Sequence, residues 1–213
     1  MTTGEGWTAA VRDRLAPGRL LPLGAAEGAW ITERAVREVL GRAASAVRGV
    51  VPGRLRIGPA DAADDPESGA VIVTASFGAV ARRPLPELVG ELRAALLTAA
   101  EDGLGLVVGA VDLRVAELLD TAPEPDAGAA PPPGPTSPAT DDPVALAALG
   151  VTGVAAMTDT LGPPVRRTPD EVRVEVAVTA GARPLDVARA LRATVTALAP
   201  EGAAVTVVVS DLR

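Results

Sequence analysis

The feature that constrains this chain most is a proline tether. Between Thr121 and Thr140 the sequence reads TAPEPDAGAAPPPGPTSPAT, with seven prolines and almost no bulky apolar side chain. Proline has no N–H to give a helix or a central strand, and so little apolar surface cannot offset the entropy of ordering. The expectation is an extended, semi-rigid linker. It leaves about 120 residues before it and 73 after it, so the chain has to fold as two modest units.

Periodicity defines the first unit. From Thr32 to Arg48 the apolar residues Val36, Val39, Leu40, Ala43 and Val47 recur at helical spacing, with Thr32 as N-cap, Ile31 placed to staple onto Val36, and Gly49 as terminator. Leu55 to Ile57 reads as a short strand, and residues 60–69, ADAADDPESG, read as an acidic loop. Val71, Val73, Ala75 and Phe77 then alternate with Ile72, Thr74 and Ser76, the period of a strand with one face on a core. A second helix starts near Pro84, with Leu85, Leu88, Val89, Leu92, Ala95, Leu96 and Ala99 as its stripe and Gly103 as the expected left-handed closing residue. A last strand presents Val107, Gly109, Val111, Leu113 and Val115 on one face. Ahead of these elements, Trp7, Val11 and Leu15 suggest a short helix in an N-terminal extension.

The second unit repeats the pattern with losses. Val172, Val174, Val176 and Val178 match the alternating strand, and ARPLDVARALRATVTAL (182–198) matches RRPLPELVGELRAALLTA (82–99) with one residue deleted. Asp-Leu-Arg recurs at 112–114 and 211–213, an offset of 99, so an internal duplication is expected. Its beginning is eroded: residues 144–153 offer at most a short helix, and Pro163, Pro164 and Pro169 interrupt the stretch after it. The expected fold is α+β, built of two α-β-β-α-β units in which a three-stranded sheet carries helices on one face, the second lacking much of its first helix. The expected boundaries are an extension over 1–29, a first domain over 30–120, the linker over 121–140 and a degenerate repeat over 141–213.

Residues 30–119 resemble the alkaline shock protein family, the envelope-stress domain of Gram-positive bacteria. The features that carry the likeness are a helix ending in Gly49-Val50, a strand ending in the aromatic-glycine pair Phe77-Gly78, an amphipathic helix, and the closing GLGLVVGAVDLRV (103–115). The likeness extends more weakly over 144–213. The acidic loop, the tether and the damaged second copy depart from the family pattern. The resemblance implies a non-enzymatic scaffold in envelope homeostasis, held near the membrane through a small, separate membrane-anchored protein partner; self-association is a further expectation, because a second unit with a reduced core can pack on another chain. It supplies no catalytic residues.

Composition narrows the chemistry. The 20 basic residues are all Arg against 27 acidic ones, a net charge of −7, and Lys, His, Cys, Tyr, Asn and Gln are absent, as a GC-rich codon bias would produce. There is then no thiolate, no imidazole base or metal ligand, no Schiff-base lysine and no disulfide, so no catalytic, cofactor-binding or metal residues are assigned and no cofactor is expected. Glycines 103, 105 and 109 miss dinucleotide spacing, and the run leads from a helix into a strand. Asp61, Asp64, Asp65 and Glu67 lack the alternate spacing of a calcium loop. Glu87, Glu91, Asp112 and Asp211 fall on polar faces, and Trp30 reads as a core or staple residue.

The strongest lead is the first helix. Arg34, Arg37, Arg42 and Arg48 lie largely off its apolar stripe with Glu38 as the one intervening acid, a basic face on an acidic protein and a candidate partner-binding surface. The competing reading is a KH-like RNA binder, but the first unit has no Gly-x-x-Gly loop; Gly150-Val151-Thr152-Gly153 in the second matches the letters without a flanking basic helix. Net negative charge opposes nucleic acid binding. The N-terminus has no secretory pattern and no apolar run is long enough to span a bilayer, so a cytoplasmic protein is expected, membrane-associated only through a partner.

Overall fold

The computed structural model describes residues 18–24, 28–60, 69–80, 83–121 and 140–213. The helix expected around Trp7, most of the acidic loop and most of the proline tether lie outside them. The described residues form an α+β fold with four helices, one three-stranded sheet and one six-stranded sheet. None of these helices is long and apolar enough to cross a membrane.

The first sheet runs β3 (Val50–Pro59), β4 (Val71–Val80), β5 (Val108–Leu119). β3 is antiparallel to β4, whereas β5 is parallel to it and is reached through helix α2 (Leu85–Thr98), as a parallel neighbour requires. Helix α1 (Glu33–Ala46) lies with α2 on one face, over the buried Val71, Val73, Ala75 and Phe77 of β4. The expected short strand is ten residues long because β3 absorbs Gly53 and Arg54 in a bulge opposite Ser76. A Cβ on Gly53 would come within 2.8 Å of the Ser76 carbonyl, so the bulge requires glycine there.

Helix α2 buries Leu88, Leu92 and Leu96, and the stripe continues at Ala100 and Leu104 through a π-helical segment, Ala99–Leu104. A strict four-residue spacing drifts around a 3.6-residue helix, and the wider π turns rotate the stripe back over the core. The helix therefore runs past Gly103, and the left-handed residue that closes it is Gly105 (φ 88°), whose N–H bonds the carbonyls of Ala100 and Glu101.

The second half departs from the expected three-stranded unit. β8 (Glu171–Val178) and β9 (Ala204–Leu212) are parallel and joined by helix α4 (Pro184–Thr196), the arrangement of β4, α2 and β5. The strand antiparallel to β8 is split in two, β6 (Val154–Met157) and β7 (Val165–Arg167), which take successive stretches of one edge of β8. Over 158–164 between them the chain bows out of the sheet, its ends held to the Glu175 backbone by the Thr158 N–H and the Pro164 carbonyl, and Pro163 and Pro164 supply no ladder N–H groups. The opening helix α3 (Pro143–Leu149) has seven residues against fourteen in α1.

The larger difference is at the other end of this sheet. β1 (Leu20–Pro22) and β2 (Ala29–Thr32), from the stretch read as extension and domain entry, join the second sheet, with β2 parallel to β9 in the register Ala29–Val207 to Ile31–Val209. Ile31 is fully buried there, while Trp30, expected in the core, faces the other way and stays 36% exposed. The two halves share one core, to which both sheets and all four helices contribute buried residues. Leu185 of α4 lies so close to Gly105 that a Cβ on the glycine would come within 2.4 Å of it.

Candidate functional site

The basic face of α1 does not hold together as one patch. Thr32 caps the helix, its Oγ1 accepting from the Ala35 N–H at 3.4 Å and donating to the Ser210 carbonyl of β9 at 3.0 Å. α1 is thereby tied to the second sheet while its inner stripe covers the first. Arg37 is ion-paired with Glu33 one turn earlier and borders a cavity of about 160 Å³ between α1, α2 and the β3 bulge. Arg42 lies about 140° further round the helix at 100° per residue and lines a cleft of about 280 Å³ between the halves with Val39, Thr179 and Leu212. Arg34 is partly buried, and Arg48 is exposed in the turn beyond the helix, which ends at Ala46 because Gly49 turns left-handed into β3. The expected single face is divided between two flanks and a turn.

The structure brings forward a different surface, the free edge of β5. β4 pairs with one side of this twelve-residue strand, and no described strand pairs with the other. Its Val111, Leu113 and Val115 sit in register with Val73, Ala75 and Phe77 on the helix-covered side, yet they remain only partly buried, with no described strand beyond them. Asp112 and Arg114 stand exposed on the opposite face, in register with Thr74 and Ser76. The other edge of this sheet, β3, carries Pro52, the Gly53 bulge and Pro59, features that blunt an edge; β5 has no proline.

The second Asp-Leu-Arg is used differently. Asp211, expected on a polar face, is 5% exposed, and its Oδ2 pairs with Arg213 Nε at 2.8 Å. It is in register with Ala177, between the third and fourth inward valines of β8, whereas Asp112 is opposite Thr74, between the second and third inward residues of β4. The shared letters are therefore shifted by two residues along the sheet.

One buried polar group has no clear signal in the sequence. Glu175 of β8 is fully buried on the face away from α4, where its carboxylate accepts from Thr158 Oγ1 (3.1 Å), the Thr160 N–H (2.9 Å) and the Leu161 N–H (3.0 Å). With its own proton directed to that carboxylate, Thr158 Oγ1 accepts from Ser210 Oγ at 2.5 Å. The excursion 158–164 is thus bonded down over the second sheet, covering the face that the first sheet leaves open. Glu175 alternates with valines as a solvent-facing residue would, so strand period alone places it outside. These bonds anchor a loop.

Gly150-Val151-Thr152-Gly153 turns from α3 into β6, and a Cβ on Gly153 would come within 2.6 Å of Val187 Cγ2. Gly153 is thus packed against α4 while Gly150 is exposed, whereas a backbone-clamping loop needs both glycines open to the nucleic acid. Comparison with models of protein families, with curated proteins and with solved structures finds no match.

Proposed function

We propose that this chain is a non-enzymatic scaffold or adaptor that works through protein–protein contacts, and that the contact site is the open edge of β5. The carrying observation is the contrast between equivalent strands: β9 is paired on both sides, while β5 is twelve residues long, has partly exposed valines and is paired by described strands on one side alone. An unguarded edge of this length is a template for an added strand, in which main-chain hydrogen bonds supply affinity and the flanking side chains supply selectivity. The setting in envelope homeostasis, with a membrane-anchored partner, rests on the resemblance of residues 30–119 to the alkaline shock proteins.

The test is affinity purification of the full chain beside two variants. Leu113→Lys places a charge on the apolar side of the edge and should abolish partner recovery while the melting temperature stays within a few degrees. The double variant Arg34→Glu with Arg37→Glu should leave recovery unchanged. Loss with the helix variant and retention with the edge variant would move the site to α1 and overturn the edge reading.

A further inference from the structure

We propose that the partner of the β5 edge is the same edge of a second copy of this chain, paired antiparallel about a two-fold axis through Leu113. The inference rests on the reading above and deepens it by naming the occupant. The strand's centre, Val111-Asp112-Leu113-Arg114-Val115, has apolar residues at both ends and in the middle and opposite charges between them. Reversed, it has the same apolar pattern with the two charges exchanged, which is what a two-fold axis demands of a self-complementary edge.

In that register Asp112 faces Arg114 of the second copy and Arg114 faces its Asp112, so two cross-strand ion pairs form on the open face. Neither residue has an ion pair with another described residue of its own chain, in contrast to Asp211 and Arg213. On the other face Val111 meets Val115, Leu113 meets Leu113, and Val115 meets Val111, joining the partly exposed rows of both copies. These residues lie between the two bulges of β5, at Gly109 and Ala116, where the ladder is regular. The two three-stranded sheets become one of six strands, with the helices of both copies on the same side.

The experiment uses the full chain at about 100 µM by sedimentation equilibrium, where the expected mass is twice 21.3 kDa. Asp112→Arg places like charges opposite each other at both rungs, and Arg114→Asp does the same with the other sign. Each should weaken the dimer on the order of tenfold or more, with the circular dichroism spectrum unchanged because both side chains are exposed. The double variant Asp112→Arg with Arg114→Asp restores the pairs and should restore the dimer. Because the chain has no cysteine, Leu113→Cys should cross-link copies on mild oxidation, whereas Ala110→Cys, away from the axis, should not. A chain that stays at 21.3 kDa, a charge reversal that the double variant does not rescue, or cross-linking at 110 and not 113 overturns the self-pairing. If the wild type is monomeric while Leu113→Lys still abolishes recovery of another protein, self-pairing fails and the edge reading stands. If Leu113→Lys changes neither, both fail.

Discussion

β5 and β9 hold the same place in their sheets, each parallel to the strand before it and reached through a helix, yet β5 ends its sheet and β9 lies inside one. The second half reaches this state with material from elsewhere. β1 and β2 come from more than 170 residues away in sequence to cover the β9 edge, and the excursion 158–164 covers the face beside it. The first half has the longer opening helix and the unbroken first strand, and among the described residues no strand pairs with its β5 edge. The half whose sequence departs more from the pattern is the more enclosed one, because its short α3 and split strand are offset by α1, β1 and β2.

The largest expected effect breaks the cover over the second sheet. Glu175→Ala leaves the Thr160 and Leu161 N–H groups and the Thr158 hydroxyl without their acceptor in a buried setting, and should cost about 3 kcal/mol or more. Thr74 is the residue of β4 that sits between the second and third inward side chains, as Glu175 does in β8, and it is exposed on the open face. Thr74→Ala should therefore cost less than about 0.5 kcal/mol. Urea midpoints of the two variants measure the contrast, and similar values would mean that the 158–164 excursion adds nothing to stability.

The junction between the halves comes next. Gly105 combines a left-handed backbone with a Cβ position 2.4 Å from Leu185. Gly105→Ala should destabilise by about 2 kcal/mol or more, from the strained φ and the overlap together. Gly181 also has positive φ (85°), but no atom lies near its Cβ position, so Gly181→Ala isolates the backbone part and should cost about 1 kcal/mol. Equal losses would show that the halves are not in close contact at Gly105. Thr32→Ala is expected to cost about 1 to 2 kcal/mol, since one hydroxyl both caps α1 and bonds the Ser210 carbonyl of β9.

How far the sequence reveals each element depends on how local its signal is. The N-cap Thr32, the stripes of α1 and α2 and the inward valines of β4 and β8 depend on residues within a turn or two of one another, and their positions are legible. β1 and β2 are not, because strands of three and four residues carry no period and their partner is remote in the chain. Trp30 and Ile31 show the consequence: side-chain size assigns burial to the tryptophan, and a strand register set by β9 buries the isoleucine. Strand period assigns Glu175 and Asp211 to polar faces, and each is buried by neighbours that no local pattern announces. A single apolar stripe puts the arginines of α1 on one face, but a helix held between two sheets has two flanks, and Arg37 and Arg42 fall on different ones.

The smallest effect concerns how each half secures its opening helix. α1 has fourteen residues and a broad buried stripe, whereas α3 has seven and depends on Asp142. One carboxylate oxygen of Asp142 accepts from the N–H groups of Val144 (2.9 Å) and Ala145 (3.3 Å), and the group takes a two-pronged bond from Arg167 of β7 at 2.6 and 2.7 Å. The Arg167 guanidinium, helped by those two N–H groups, lowers the Asp142 pKa to about 2. An unfolded aspartate titrates near 3.9, so the unfolded chain takes up this proton first as pH falls. The stabilisation is therefore complete above about pH 4 and is lost between about pH 4 and pH 2. Partial exposure of the pair holds it to about 1 kcal/mol. Asp142→Asn retains a cap and removes the charge, so the stability difference between wild type and variant should be constant from pH 7 to 5 and shrink toward zero near pH 2. A difference that does not change with pH would mean that α3 is held by its cap and its buried Val144, Ala145 and Ala148, and that the bond to Arg167 contributes nothing.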